Sequence, residues 1–237
     1  TYQDWVDHEA DWAGVYDFHR RQLQHLQSGH AGERWVLKTG AHLWGLDQLL
    51  ATYPDARIVF THRDPVKSMT SYASLTSIVR RVGSDTVDPV EVADDWIARL
   101  RHVLLRGIEI RAARDYPDAV FHDMFFGDFI TDQFRTVEAI YDALDLPMTG
   151  EAADRMRAFI DDNPPGKHGI HRYEPAEFGV DPPRVRAEFA DYIDHFDLRP
   201  ECGYQPQHRQ SHCDYSLTSD LHKSRRTGSR PQPTESR

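Results

Sequence analysis

Arg63 and Ser71 are the first pair whose types and spacing suggest chemistry. Arg63 stands in the run His62-Arg63-Asp64-Pro65, and Ser71 follows eight residues later. A guanidinium offers a fixed fork of donors that suits a phosphate, and a hydroxyl adds one short donor. If Pro65 opens a helix with Asp64 as its N-cap, Ser71 lies roughly 10 Å along that helix. A bend from strand into helix then lets both side chains converge on one anion. A local ion pair or cap is the plainer reading of the same residues.

A second group is Lys38-Thr39-Gly40-Ala41-His42. Lys38 at a strand end, with Gly40 allowing close backbone approach, suits an anionic ligand. His42 can act as a general base near neutral pH. The alternative is a solvated lysine, a turn glycine and a helix-capping histidine. A third group is the loop from Pro164 to Tyr173, with Gly166, Lys167, His168, Gly169, His171 and Arg172. Backbone N–H groups and cations together make an anion site, although an exposed basic loop without a ligand has the same composition. His42, His62, His122, His168 and His171 lie in different segments without metal-ligand spacing, so no metal site is expected. The Walker lysine loop, the dinucleotide glycine fingerprint and the serine-hydrolase elbow have no counterpart in the sequence.

These residues need elements to position them. Trp35-Val36-Leu37 and Arg57-Ile58-Val59-Phe60-Thr61 are β-prone apolar runs, with Leu43, Leu46, Leu49 and Leu50 at helical spacing between them. That is the pattern of a strand–helix–strand unit in a parallel sheet, where ligands meet the carboxyl ends of strands. Strands are expected at 34–38 and 57–62, and a shorter one at 119–122. Helices are expected over about 4–27, 65–81, 88–114, 131–144, 151–160 and 182–196, from apolar periodicity and turn signals. Residues 161–180 read as a long irregular loop, a kind of segment that is functional or disordered. From residue 203 the text turns polar and poor in apolar residues, which predicts a disordered tail over 203–237.

Composition bounds the function. The chain has 237 residues and a formal net charge of -10. That charge disfavours nucleic acid as a partner. The two cysteines support neither a disulfide framework nor a Cys-based zinc site, which fits a cytoplasmic location. No apolar run is long enough for a membrane span. Oligomeric state is not readable from these features.

Taken in order, the run from Trp35 to Asp47, the run from Pro54 to Pro65 with its strand end Thr61-His62-Arg63-Asp64-Pro65, Ser71, the Gly166-Lys167-His168-Gly169 loop with His171 and Tyr173, and Phe178-Gly179 resemble the sulfotransferase family. The narrower likeness is to its bacterial-type branch. The resemblance covers about residues 33–200. It implies an α/β, three-layer, parallel-sheet P-loop-type fold that is helix-rich. It also implies transfer of a sulfuryl group from 3′-phosphoadenosine 5′-phosphosulfate (PAPS) to a hydroxyl or amine of a small-molecule acceptor, in line, with no metal and no covalent intermediate. Carried onto this sequence, Arg63 and Ser71 would hold the 3′-phosphate. The loop Gly166, Lys167, His168 and Gly169 would close over the nucleotide. His42 would take the acceptor proton, and Lys38 would offset developing negative charge. Trp44, Tyr72 and Tyr173 either line an acceptor pocket or pack in the core.

Two departures stand out. Thr39-Gly40 replaces the Ser-Pro of the branch. Nothing in residues 1–33 resembles the family's glycine-rich phosphosulfate-binding loop, whose backbone N–H groups bind the reactive end of the donor. Residues 1–202 are therefore expected to form a sulfotransferase-like domain lacking its N-terminal strand and loop, with weak or no activity. The rival readings are a non-catalytic protein that binds adenosine 3′,5′-bisphosphate, a degenerate relative, and a small-metabolite P-loop kinase.

Overall fold

The computed structural model describes residues 2–29, 32, 34–113, 115–116, 119–167, 169, 171 and 173–201. The predicted tail, 203–237, lies outside the described residues. So do both cysteines, Cys202 and Cys213, and the candidate loop residue His168.

The first expected helix is two. α1 spans Tyr2–His8 and α2 spans Trp12–Gln27. The break arises because the N–H groups of Glu9 and Ala10 both turn back to the Trp5 carbonyl at 2.8 Å. Asp11 then caps a new helix, accepting from the Ala13 N–H. α1 is held by Asp7, a buried carboxylate that accepts from Trp44 Nε1 at 2.6 Å and from Arg99 Nε at 2.7 Å.

The strand expected at 34–38 does not form. Residues 34–39 have no regular structure, and Val36 is 90 % exposed with Trp35 and Leu37 at 43 % each. A β-prone run becomes a strand only when a neighbour satisfies its ladder hydrogen bonds. Among the described residues none pairs with it. A short 3-10 turn, Gly40–Leu43, and α3, Leu46–Thr52, follow.

β1, Arg57–His62, lies where expected. α4, Pro65–Arg80, starts at the Asp64 cap with proline in its first turn, the arrangement its sequence predicts. α5 spans Pro89–Ala113. β2, Val120–Phe125, runs three residues further than expected and pairs with β1 in parallel, from Arg57 opposite Val120 to His62 opposite Phe125. α6, Phe126–Thr131, is not among the expected helices, and α7, Gln133–Ala143, falls within the helix expected over about 131–144. Asp132 separates them, capping α7 through the Arg135 N–H. α8 is Gly150–Asp162. A 3-10 turn occupies Pro175–Phe178. α9, Pro182–Glu188, and α10, Ala190–Phe196, share the last predicted helix and are divided at Phe189.

The result is a helix-rich α/β arrangement around a small parallel sheet. One core gathers Val66, Met69 and Ala73 of α4, Ile97, Leu100 and Val103 of α5, and Val185, Phe189 and Tyr192 of the last helices. A second gathers Tyr16, Leu46, Leu49 and Leu50, with Ile58 and Phe121 of the strands packed against it. Gly107 of α5 leaves room for the Phe60 ring of β1. Gly179 is required twice over. Its φ is +62°, and a Cβ there would meet Val90 Cγ1 at 2.9 Å. No helix among the described residues is long and apolar enough to cross a membrane.

Candidate functional site

β1 delivers Arg63 to the start of α4. Asp64 does act as a cap: buried, it accepts from the Val66 N–H through Oδ1 at 2.9 Å. Its Oδ2 accepts from Arg186 Nη2 at 3.3 Å and from the Glu201 N–H at 3.0 Å. Arg63 is not paired with Asp64. Its guanidinium lies over the Phe126 ring, 4.2 Å from the centroid. Its Nε donates to both carboxylate oxygens of Glu201, at 3.2 and 3.1 Å. The Asp64 N–H also donates to Glu201 Oε1 at 3.3 Å. Arg63, a backbone N–H and the positive end of a 16-residue helix thus converge on an anion, which here is the chain's own carboxylate.

Beneath Arg63 is a buried polar chain. His62 is 1 % exposed and ringed by Phe60, Phe125 and Phe196. Its Nδ1 is 2.8 Å from the Tyr192 hydroxyl and its Nε2 is 2.9 Å from Asp123 Oδ1. Asp123 in turn receives two bonds from Arg111, both at 2.8 Å. Burial lowers the His62 pKa, against the opposing pull of Asp123. Burial also raises that of Tyr192. For Asp123, burial acts upward, but the bonds from Arg111 and His62 outweigh it and hold the carboxyl below its usual range. The consistent assignment is a neutral His62 donating from Nε2 to a charged Asp123 and accepting at Nδ1 from Tyr192. Every polar atom of the imidazole is then satisfied, so the residue before Arg63 is fixed in place.

Ser71 lies half-buried on α4. Ser74, one turn further on the same helix, is buried, and its Oγ is 2.8 Å from His171 Nε2. The glycine-bearing loop therefore reaches the helix that carries Ser71. Gly166 and Gly169 have φ of +84° and +95°, conformations that suit glycine. Lys167 faces back toward α8, where its ammonium donates to the Asp162 carbonyl at 2.5 Å and to Asn163 Oδ1 at 3.3 Å. In this arrangement it caps the end of α8.

His42 sits in the 3-10 turn, which Thr39 caps by accepting from the Ala41 N–H. His42 Nδ1 is 2.9 Å from the hydroxyl of Tyr16, a buried residue of α2. His19 packs edge-on against the His42 ring, and its own Nδ1 is 2.8 Å from the Tyr53 hydroxyl. Burial, then the neighbouring His19, lowers the His42 pKa and favours its neutral form near pH 7. Burial raises the pKa of Tyr16, keeping the phenol protonated. Lys38 is exposed in the irregular segment 34–39. A Cβ at Gly40 would meet only the Tyr72 hydroxyl, at 3.9 Å, so close packing does not require a glycine there. The same contact places the His42 turn beside Tyr72 of α4, the residue after Ser71. Of the three aromatics considered for an acceptor pocket, Trp44 and Tyr173 pack in the core. Tyr72 packs at a tilt against Trp96 and stays exposed.

A family model described as "Sulfotransferase family" matches residues 2–150. The chain belongs to the sulfotransferase family. Its fold is similar to that of two solved mycobacterial sulfotransferases. For STF9 from Mycobacterium avium the TM-score is 0.74 at 28% identity, covering 84% of this chain and 50% of that one. For STF1 from Mycobacterium tuberculosis the TM-score is 0.68 at 33% identity, covering 80% and 48%. The chain thus spans about half the length of the solved sulfotransferases it matches. No curated protein sequence matches it.

Proposed function

We propose that this sulfotransferase-family chain holds the 3′-phosphate of PAPS at Arg63 and Ser71 and presents His42 to a hydroxyl or amine acceptor. The observation that supports this most is the anion seated at Arg63. The Glu201 carboxylate stands in for a phosphate edge, so the donor set there already suits an oxyanion. Ser71 adds a hydroxyl from α4, and Gly166, Lys167, His168 and Gly169 would close over the nucleotide, a role supported by His171 of the same loop bonding to Ser74. When bound, the nucleotide supplies the sulfuryl group. His42 then takes the acceptor proton at Nε2, a role that needs the proton on Nδ1 with the Tyr16 oxygen accepting it. Lys38 offsets the negative charge that develops during transfer.

Calorimetry with adenosine 3′,5′-bisphosphate tests the binding half. Binding that weakens about 30-fold in Arg63→Ala is expected, and a wild-type chain that does not bind would sink the reading. Incubation with PAPS and a panel of phenols, alcohols and amines tests the transfer half, where His42→Gln should retain nucleotide binding and lose product. A second reading, nucleotide binding without transfer, is favoured by the placement of Lys38 on an exposed irregular segment. It predicts the same calorimetry and no product from the wild-type chain.

A further inference from the structure

Glu201 lies 138 residues from Arg63 in sequence, yet its carboxylate takes the inner edge of the guanidinium. The chain reaches this point from α10 through a reversal at Asp197, whose φ is 49°, and a bond from the Leu198 N–H to the Ile193 carbonyl at 3.0 Å. The Glu201 N–H is then tied to Asp64 Oδ2, beside Arg186. Backbone and side chain have separate tasks here. The backbone is pinned to the cap of α4, and the side chain alone fills the anion seat. Its three long side-chain torsions allow it to leave while the backbone stays.

We propose that Glu201 is an internal, autoinhibitory occupant of the Arg63 seat, which an entering phosphate must displace. This rests on the reading of Arg63 as the phosphate anchor and deepens it. A carboxylate and a phosphate offer the same two-oxygen edge to Nε of Arg63 and to the Asp64 N–H, but the phosphate brings more charge and further acceptor oxygens. The phosphate therefore displaces Glu201, and its net affinity is reduced by the contacts that Glu201 gives up. In the reverse direction the tethered carboxylate returns to the seat as the nucleotide leaves. The half-buried guanidinium beside Phe126 thus always has an anionic partner, and ligand release is assisted.

The test compares the wild-type chain, Glu201→Gln, Arg63→Ala and the double variant. Two probes are used: adenosine 3′,5′-bisphosphate by calorimetry, and inorganic phosphate by its effect on the melting temperature. Glu201→Gln keeps the side-chain length and removes the charge. It should bind both probes about fivefold more tightly than wild type. The gain should vanish when Arg63→Ala is added. A gain with inorganic phosphate alone upholds Glu201 as the occupant and overturns the nucleotide reading instead. Unchanged or weaker binding of both probes by a folded Glu201→Gln chain overturns the proposal. So does a gain that survives Arg63→Ala. Should Glu201→Gln fold poorly, Glu201→Ala is measured under the same criteria.

Discussion

The end of β1 and the turn at 40–43 both carry candidate site residues, and they are built in opposite ways. Arg63 follows a paired strand and rests on a hydrogen-bonded chain of buried His62 and Tyr192 with partly buried Asp123 and Arg111. His42 sits in a single 3-10 turn that follows an exposed segment without a described strand partner, and its ties to the body of the fold are the Tyr16 hydroxyl and the packed His19 ring. A group on a supported strand end is held in position whether or not a ligand is present. A group on a short turn depends on each bond it makes. The contrast teaches that the candidate anion-holding half is prebuilt, while the candidate proton-handling half is poised by a few contacts.

The largest expected effect attacks the support of Arg63. His62→Ala removes two buried hydrogen bonds and a packed ring, and should cost about 3 kcal/mol in urea unfolding. A cost below ~1 kcal/mol would erase the distinction between the two halves. Arg63→Ala comes next. It should weaken adenosine 3′,5′-bisphosphate binding about 30-fold, the scale of a charge-assisted bond to phosphate, with little change in melting temperature.

Acidity separates the halves further. His62 and His42 both bind protons less readily when folded. In the window just below the ordinary histidine value of about 6.5, the unfolded chain therefore holds more protons. Stability should be full above that value and fall as the pH drops toward the folded values. His62→Gln should flatten most of this slope and Tyr16→Phe little of it, as read from melting temperature between about pH 7.5 and 5. Tyr16→Phe should instead change the histidine tautomer. Nitrogen-15 spectra should show His42 protonated on Nδ1 in the wild type and losing that preference in the variant. A wild-type His42 protonated on Nε2 would remove it as the base. The smallest effect is Ser71→Ala, about threefold weaker nucleotide binding with no loss of stability, consistent with one neutral donor.

Local chemistry decided which of these features could be read from the chain alone. β1, α4 and α5 follow from strong nearby signals: a compact β-branched run, the Asp64 cap with Pro65, and Pro89 opening a long apolar stripe. The strand at 34–38 was misplaced because a strand is a property of two segments, and the run from Trp35 to Leu37 has no described partner. The breaks at Asp11 and Phe189 are hidden because apolar spacing continues across them while the backbone turns away, and α6 is hidden because six residues are too few to show a helical period. Arg63, Ser71 and His42 were recognisable through family-like motifs. Their partners were not. Tyr16 lies 26 residues from His42, Tyr192 lies 130 from His62, and Glu201 lies 138 from Arg63. No periodicity or motif joins residues at such separations, since only the fold brings them together.

The exposed run at Trp35, Val36 and Leu37 has a consequence for anyone handling the protein. It presents β-branched and aromatic side chains on backbone that has no strand partner among the described residues, and β1 and β2 form a sheet of only two described strands. Surfaces of this kind adhere to one another and to hydrophobic dyes. Concentrated solutions should therefore bind such dyes and self-associate, and a lysine in place of Val36 should keep them clear.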